Sequence, residues 1–200
     1  MSDYIFLFDL DSTLTQKEIL PEISKEIGKE KEMRQLTEDT MQGVIPFKQS
    51  FLNRVNILKS IDVEEVQQII NNIPLNEHLI QFIQENRQRC YIVTGNLDIW
   101  ISALMKRIGM NGHYCCSKAI VDGDGTVKVV SVLDKELTAK QFVHPLVVVG
   151  DGNNDADMAR LAEIAVGYGG VREIAPALMK CIDYAFMDEK KLVQFLTELL

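Results

Sequence analysis

Three apolar runs, each ending in groups that carry chemistry, constrain this 200-residue chain more than any other feature. Tyr4 to Asp9 in "YIFLFDLDSTLTQKE" leads on to a second carboxylate, Asp11. Cys90 to Thr94 in "CYIVTGN" ends on a hydroxyl, and Leu146 to Gly150 in "LVVVGDGNNDADM" meets Asp151. Uninterrupted apolar runs of this length read as strands buried on both faces of a parallel sheet. Charge at the end of such a strand is costly unless it is used, and in open α/β sheets the carboxyl ends of the strands open into the ligand crevice. If the first and third strands are neighbours, Asp9, Asp11, Asp151 and Asp155 converge there.

Further strands at Ile164 to Tyr168 and Tyr184 to Met187 alternate with helical patterns at Glu77 to Asn86, Leu97 to Ile108 and Asp155 to Glu163. "AIVDGDGTVKVV", Ala119 to Val130, predicts a hairpin, read as a small antiparallel excursion. Asp11 and Thr94 stand 83 positions apart, far more than one crossover helix needs. The surplus, Ile19 to Ile73, carries helical spacing (Ile19, Ile23, Ile27; Phe47, Phe51, Val55, Leu58; Val63, Val66, Ile69, Ile70), punctuated at Gly43, Pro46, Asp62 and Pro74. The expectation is an α/β fold: a Rossmann-like parallel-sheet core from residues 1–14 and 77–200, with a helical cap, residues 15–76, inserted after the first strand.

A formal net charge of −8 and no block of Lys and Arg argue against a nucleic-acid surface. A phosphate ligand would then need metal ions and a few placed cations. Cys90, Cys115, Cys116 and Cys181 show no CxxC spacing and read as reduced thiols. No apolar run approaches the ~20 residues of a membrane span, and Asp3 stands where a signal peptide would want basic residues. A cytoplasmic protein without membrane partners is expected, as monomer or homodimer.

Asp151, Asn153 and Asp155 do not make a calcium loop, because Ala156 and Ala162 occupy the positions that require Gly and Glu. Converging carboxylates instead need a cation or protonation, and an oxygen-rich site of this kind suits Mg²⁺ and a substrate phosphate. Asp9 can then act as a nucleophile, and Asp11, on the same side of an extended strand, as general acid and then base. Thr94, Gly95 and the following helix start form a phosphate cradle. The fixed cation is Lys135, just before a short helix Glu136 to Phe142, with Lys140 as second choice. "VGYGGVRE", Val166 to Glu173, reads as a tight turn bordering the site.

"DLDST", "VTG", a downstream lysine and "GDGNND" together resemble the four signatures of the haloacid-dehalogenase superfamily of phosphohydrolases, and within it the phosphoserine phosphatases. The resemblance implies the family's fold with a C1-type cap and an aspartyl-phosphate on Asp9, with Asp11 as acid/base. It implies phosphate binding by Thr94, Gly95, Lys135 and Asn154. Mg²⁺ would be held by Asp9, the main-chain carbonyl of Asp11 and Asp151, with Asp155 in support. Glu18 would meet the substrate ammonium and Arg54 its carboxylate, while Met41, Phe47 and Phe51 line the pocket. The chain departs from the family at Asn96, where a bare glycine is usual, so Asn96 enters the substrate site. The segment from Lys135 to Asp151 is also shorter than in typical relatives, which leaves Lys135 and Lys140 both open.

The leading reading is a Mg²⁺-dependent phosphomonoester hydrolase acting on L-phosphoserine, in serine biosynthesis. Alternatives are a phosphatase or phosphotransferase for another small phosphorylated metabolite and, more remotely, a receiver-like or catalytically dead phosphate-binding protein. A receiver predicts no long helical insert.

Overall fold

Alternation along β1 (Ile5–Phe8) sets the layers. Phe6 and Phe8 enter one apolar core and Leu7 another, as the two-residue period of a strand requires. β5 (Leu146–Gly150) divides in the same way, with Val147 and Val149 in the first core and Leu146 and Val148 in the second. The computed structural model describes residues 3–200, so residues 1 and 2 of the expected core lie outside it.

β2 (Cys90–Leu97), β3 (Tyr114–Val121), β4 (Val127–Ser131), β6 (Ile164–Tyr168) and β7 (Tyr184–Phe186) complete one seven-stranded sheet of order β4-β3-β2-β1-β5-β6-β7. All neighbours pair in parallel except β3 and β4. β1 is central, and the chain runs first to β2 on one side and later returns to β5 on the other. That reversal is the switch point at which open α/β sheets bind ligands. Phe8 lies opposite Ile92 and Val149, so Asp9, Thr94 and Asp151 leave the sheet at the same edge.

Between β1 and β2 the chain forms α1 (Ile19–Ser24), α2 (Glu30–Met41), α3 (Phe47–Leu58) and α4 (Val63–Asn71). The punctuation works as its chemistry suggests. Gly43 takes a left-handed φ of +74° after α2, Pro46 precedes α3, and Asp62 accepts from the Glu64 and Glu65 amides to cap α4. The insertion leaves and returns through a neck: Gln16 N–H donates to Pro74 (2.8 Å), and Asn76 N–H and Nδ2 donate to Leu14 (2.9 Å) and Thr13 (2.7 Å).

α5 (Glu77–Glu85), α6 (Asp98–Arg107) and α10 (Glu189–Glu198) cover the Phe6 face. α7 (Lys135–Ala139), α8 (Asp155–Ala159) and α9 (Pro176–Met179) cover the Leu7 face. Among the described residues, no helix is long and apolar enough to cross a membrane.

Several boundaries differ from the sequence expectation. β2 continues past Thr94 to Leu97 through a break in its register with β3, so α6 starts at Asp98 and Thr94 and Asn96 do not cap it. The hairpin is not a separate excursion. β3 begins at Tyr114 and pairs in parallel with β2 before turning into β4, a pairing that the mixed stretch Tyr114 to Ser117 does not signal. α8 ends at Ala159 because Glu163 N–H is already bonded to Leu146 and feeds β6. α7 begins one residue early, with Lys135 in its first turn and Asp134 capping it through the Leu137 amide.

Candidate active site

Asp9 is fixed as β1 ends, its N–H donating to Val149 (2.9 Å). Two residues past Asp9 comes Asp11, and then Ser12 takes a left-handed φ of +57°, a conformation that costs a non-glycine residue about 1 kcal/mol. The turn is held by Ser12 N–H on Thr15 Oγ1 (3.1 Å) and by the Leu14 and Thr15 amides on the Leu10 carbonyl (3.0 Å each). Thr13 Oγ1 donates across to Asp151 Oδ1 (3.3 Å), tying the end of β1 to the end of β5.

Asp9, Asp151 and Asp155 are buried, and each brings a carboxylate oxygen within 4.8 Å of the others. Lys135 Nζ donates to Asp9 and to Asp155 (2.5 Å). Lys140 is exposed and pairs with Glu136, so of the two lysines only Lys135 reaches the cluster. The second oxygen of Asp155 accepts from the Asp151 (3.0 Å) and Gly152 (2.7 Å) amides. The glycines of "GDGNND" make room for this: a Cβ on Gly150 would lie 2.5 Å from the Asp155 carboxyl carbon.

Burial and the neighbouring Asp155 push Asp9 up to about 7, with Lys135 opposing. Burial, with Asp9 and Asp155, raises Asp151 well above the usual carboxylate range. Lys135 is pulled down by burial, but the attraction of Asp155 and Asp9 outweighs this and raises it. Lys135, with Arg172 at the Asp151 side (3.1 Å), does not balance three buried acids, and a hard, oxygen-seeking divalent cation fits this donor set.

The other side of the site faces the inserted helices across a cavity of about 70 Å³. Asp11 turns away from the acidic cluster: Oδ1 accepts from the Ile19 amide (2.7 Å) and Oδ2 from Asn96 Nδ2 (2.5 Å). Burial raises Asp11, and those two donors oppose the shift. Asn96 also bonds Thr94 Oγ1 through its N–H and Nδ2 (3.2 Å each), so its side chain is spent on Asp11 and Thr94. Its Oδ1 is buried with no partner. Gly95 sits against Phe47, whose ring a Cβ would strike, and Phe47 stacks on Phe51 at 5.7 Å.

From α3, Arg54 donates to Thr37 Oγ1 (3.1 Å), and burial lowers it to about 10 while Asp11 opposes. Asp9, Asp11, Glu18, Met41, Phe47, Phe51, Arg54, Thr94, Gly95, Asn96, Asp151 and Asn154 all line this cavity. Lys135 and Asp155 do not line it: Lys135 reaches Asp9 from beside the cavity and holds Asp155 behind it.

Three contributors lie in stretches the sequence singles out but receive no role there. Arg172, from the loop after β6, pairs with Glu18 and, through Nε, with Asp151 Oδ2 (3.1 Å). Its only signal was a lone cation in a glycine-rich strand-end loop. Asn153 Nδ2 donates to the Thr40 (3.0 Å) and Met41 (2.5 Å) carbonyls, joining the β5 loop to the end of α2. Ser12 Oγ donates to Glu18 (3.1 Å).

A Rossmann-like core with helices inserted after β1, and acids gathered at the switch point beside a hydroxyl and a buried lysine, define a hydrolase of phosphorylated ligands. The haloacid dehalogenase-like hydrolase family matches residues 5–163, and the chain belongs to that family. It is 30% identical over 178 residues to a phosphoserine phosphatase of Methanocaldococcus jannaschii, covering 82% of this chain and 84% of that one. Two solved structures align closely. One is described as a phospho-aspartyl intermediate analogue of phosphoserine phosphatase (TM-score 0.83) and one as a substrate-bound phosphoserine phosphatase complex (TM-score 0.80). Each is 26% identical and covers 98% of this chain and 99% of its own.

Proposed function

We propose that this phosphoric monoester hydrolase removes the phosphoryl group of L-phosphoserine through a covalent phosphate on Asp9. The observation that carries the reading is the separation of two neighbouring carboxylates into different surroundings, Asp9 beside Lys135 and Asp11 against Asn96 and the Ile19 amide. Two acids whose environments differ can take different roles in one reaction. The substrate is carried over from the relatives' names and supported by Glu18 and Arg54 in the cavity wall.

In the first step an Asp9 oxygen attacks phosphorus, the ester P–O bond breaks, and Asp11 gives its proton to the leaving serine oxygen. In the second step Asp11 takes a proton from water, which attacks the same phosphorus and frees Asp9 and inorganic phosphate. Lys135, the Thr94 hydroxyl, the Gly95 amide and Asn154 hold the phosphoryl oxygens. Asp9, the Asp11 carbonyl and Asp151, with Asp155 behind them, would hold Mg²⁺, which would supply positive charge beside the phosphate. Residues 15–76 act as a cap over the core of residues 1–14 and 77–200, with the neck as their join. Four unpaired cysteines support a cytoplasmic setting.

The test is phosphate release from L-phosphoserine with and without Mg²⁺. Turnover that stops on chelation and returns with Mg²⁺ is expected. No release under either condition contradicts the reading.

A further inference from the structure

The cavity contains two arginines and, outside the Asp cluster and Asp11, one carboxylate, Glu18. Those three charges are not equally free. Among the described residues no carboxylate lies within ion-pair distance of Arg54, and only Asp11 attracts it from farther off, which leaves its buried guanidinium to an anion of the ligand. Glu18 is already engaged twice, by the Arg172 guanidinium and by the Ser12 hydroxyl. Arg172 is itself held from behind by Asp151, and its loop is pinned by Ala175 N–H on the Asp151 carbonyl (2.8 Å). Both partners of the Glu18–Arg172 pair have side chains only 20% exposed, so the pair is shielded from water.

We propose that Arg172, shared between Glu18 and Asp151, keeps Glu18 paired and so lets this site accept short phosphorylated carboxylic acids that carry no ammonium group. The inference rests on the phosphomonoesterase reading above and names the substrate class of the same site. A pocket built around a free buried carboxylate rejects a ligand without the matching cation, because that carboxylate is left unpaired; discrimination of this kind reaches about 10⁴-fold. Here the carboxylate keeps a cation whichever ligand enters. A substrate ammonium must compete with Arg172 for Glu18 and gains little, while Arg54 still reads the carboxylate that both ligand types share. Arg172 is a positioning residue in this account, since it acts through Glu18.

The experiment compares kcat/KM for L-phosphoserine and for 3-phosphonooxypropanoate, the same skeleton with hydrogen in place of the ammonium. It is run on wild type, Arg172→Met, and Arg172→Met combined with Glu18→Gln, with Asp9→Asn as the blank. A ratio within a preparation is insensitive to the fraction folded, and the double variant isolates the pair. The expected ratio favours phosphoserine by less than tenfold in wild type. It rises at least tenfold in Arg172→Met and falls back in the double variant. A wild-type preference above tenfold, or a ratio unmoved by Arg172→Met, overturns the proposal and leaves the phosphatase reading standing. No turnover of either ester above the Asp9→Asn blank overturns both.

Discussion

At the scale of single residues, the candidate pair, Asp9 and Asp11, stood out in the sequence because a carboxylate at the end of a buried strand has no structural excuse, and both line the cavity. Asp9, Asp11 and Asp151 announce themselves in this way, and the glycines of "GDGNND" are explained by the Asp155 carboxylate folding back on the loop. Arg172 and Asn153 were not legible. Their partners, Glu18 and the Thr40 and Met41 carbonyls, lie far away in the chain and come together only through the fold. Asn96 was singled out, but its hydrogen bonds to Asp11 and Thr94 needed coordinates. Asp11→Asn removes the proposed proton donor and acceptor and puts an amide in its place. It is expected to lower kcat by about 10² to 10⁴-fold, with a smaller change in KM, in steady-state phosphate release. A kcat near wild type would remove Asp11 from the mechanism.

At the scale of elements, apolar periodicity marked α1, α3 and α4 of the insertion, whereas the largely polar α2 lies in it without an apolar set of its own. The first half of β3 escaped because Tyr114 to Ser117 is made a strand by its neighbour β2 and not by its own composition. Contacts between elements also decide how the inserted helices sit. α4 is tied to the core through Gln67 Nε2 on the Ile99 carbonyl (2.7 Å), whereas the end of α2 reaches the β5 loop through Asn153. Asn153→Ala removes both hydrogen bonds from that contact and lets the end of α2 move. It is expected to raise KM for L-phosphoserine several-fold, with melting temperature lowered by only about 2–4 °C for each 1 kcal/mol lost. A KM equal to wild type would mean that this link does not hold the cap.

At the scale of the whole molecule, seven strands and two apolar cores converge on a cluster that is electrostatically incomplete without a cation. Asp9 is raised to about 7 by burial and Asp155, and Asp151 is raised by burial and Asp9. For acids raised in the folded state, the favourable contribution is full below the unfolded value near 3.8 and is lost as pH rises through the folded value. Metal-free protein therefore loses stability between about pH 4 and 7 through Asp9, with Asp151 acting in the same direction, and a bound cation removes the penalty. At a concentration about a hundredfold above its Kd, Mg²⁺ is expected to raise the melting temperature by about 5–10 °C at pH 8 and by much less at pH 5. An equal shift at both pH values in calorimetric scans would contradict the cluster as the binding site.

The central claim is that Asp9 carries the phosphoryl group. The most direct test quenches the enzyme in acid during turnover of L-phosphoserine and maps the peptide spanning Asp9 by mass spectrometry. One phosphoryl group on Asp9, absent from the Asp9→Asn protein and from enzyme quenched before substrate is added, is the predicted result. Sustained phosphate release with Asp9 unmodified, or with Asp9→Asn as active as wild type, would contradict the account.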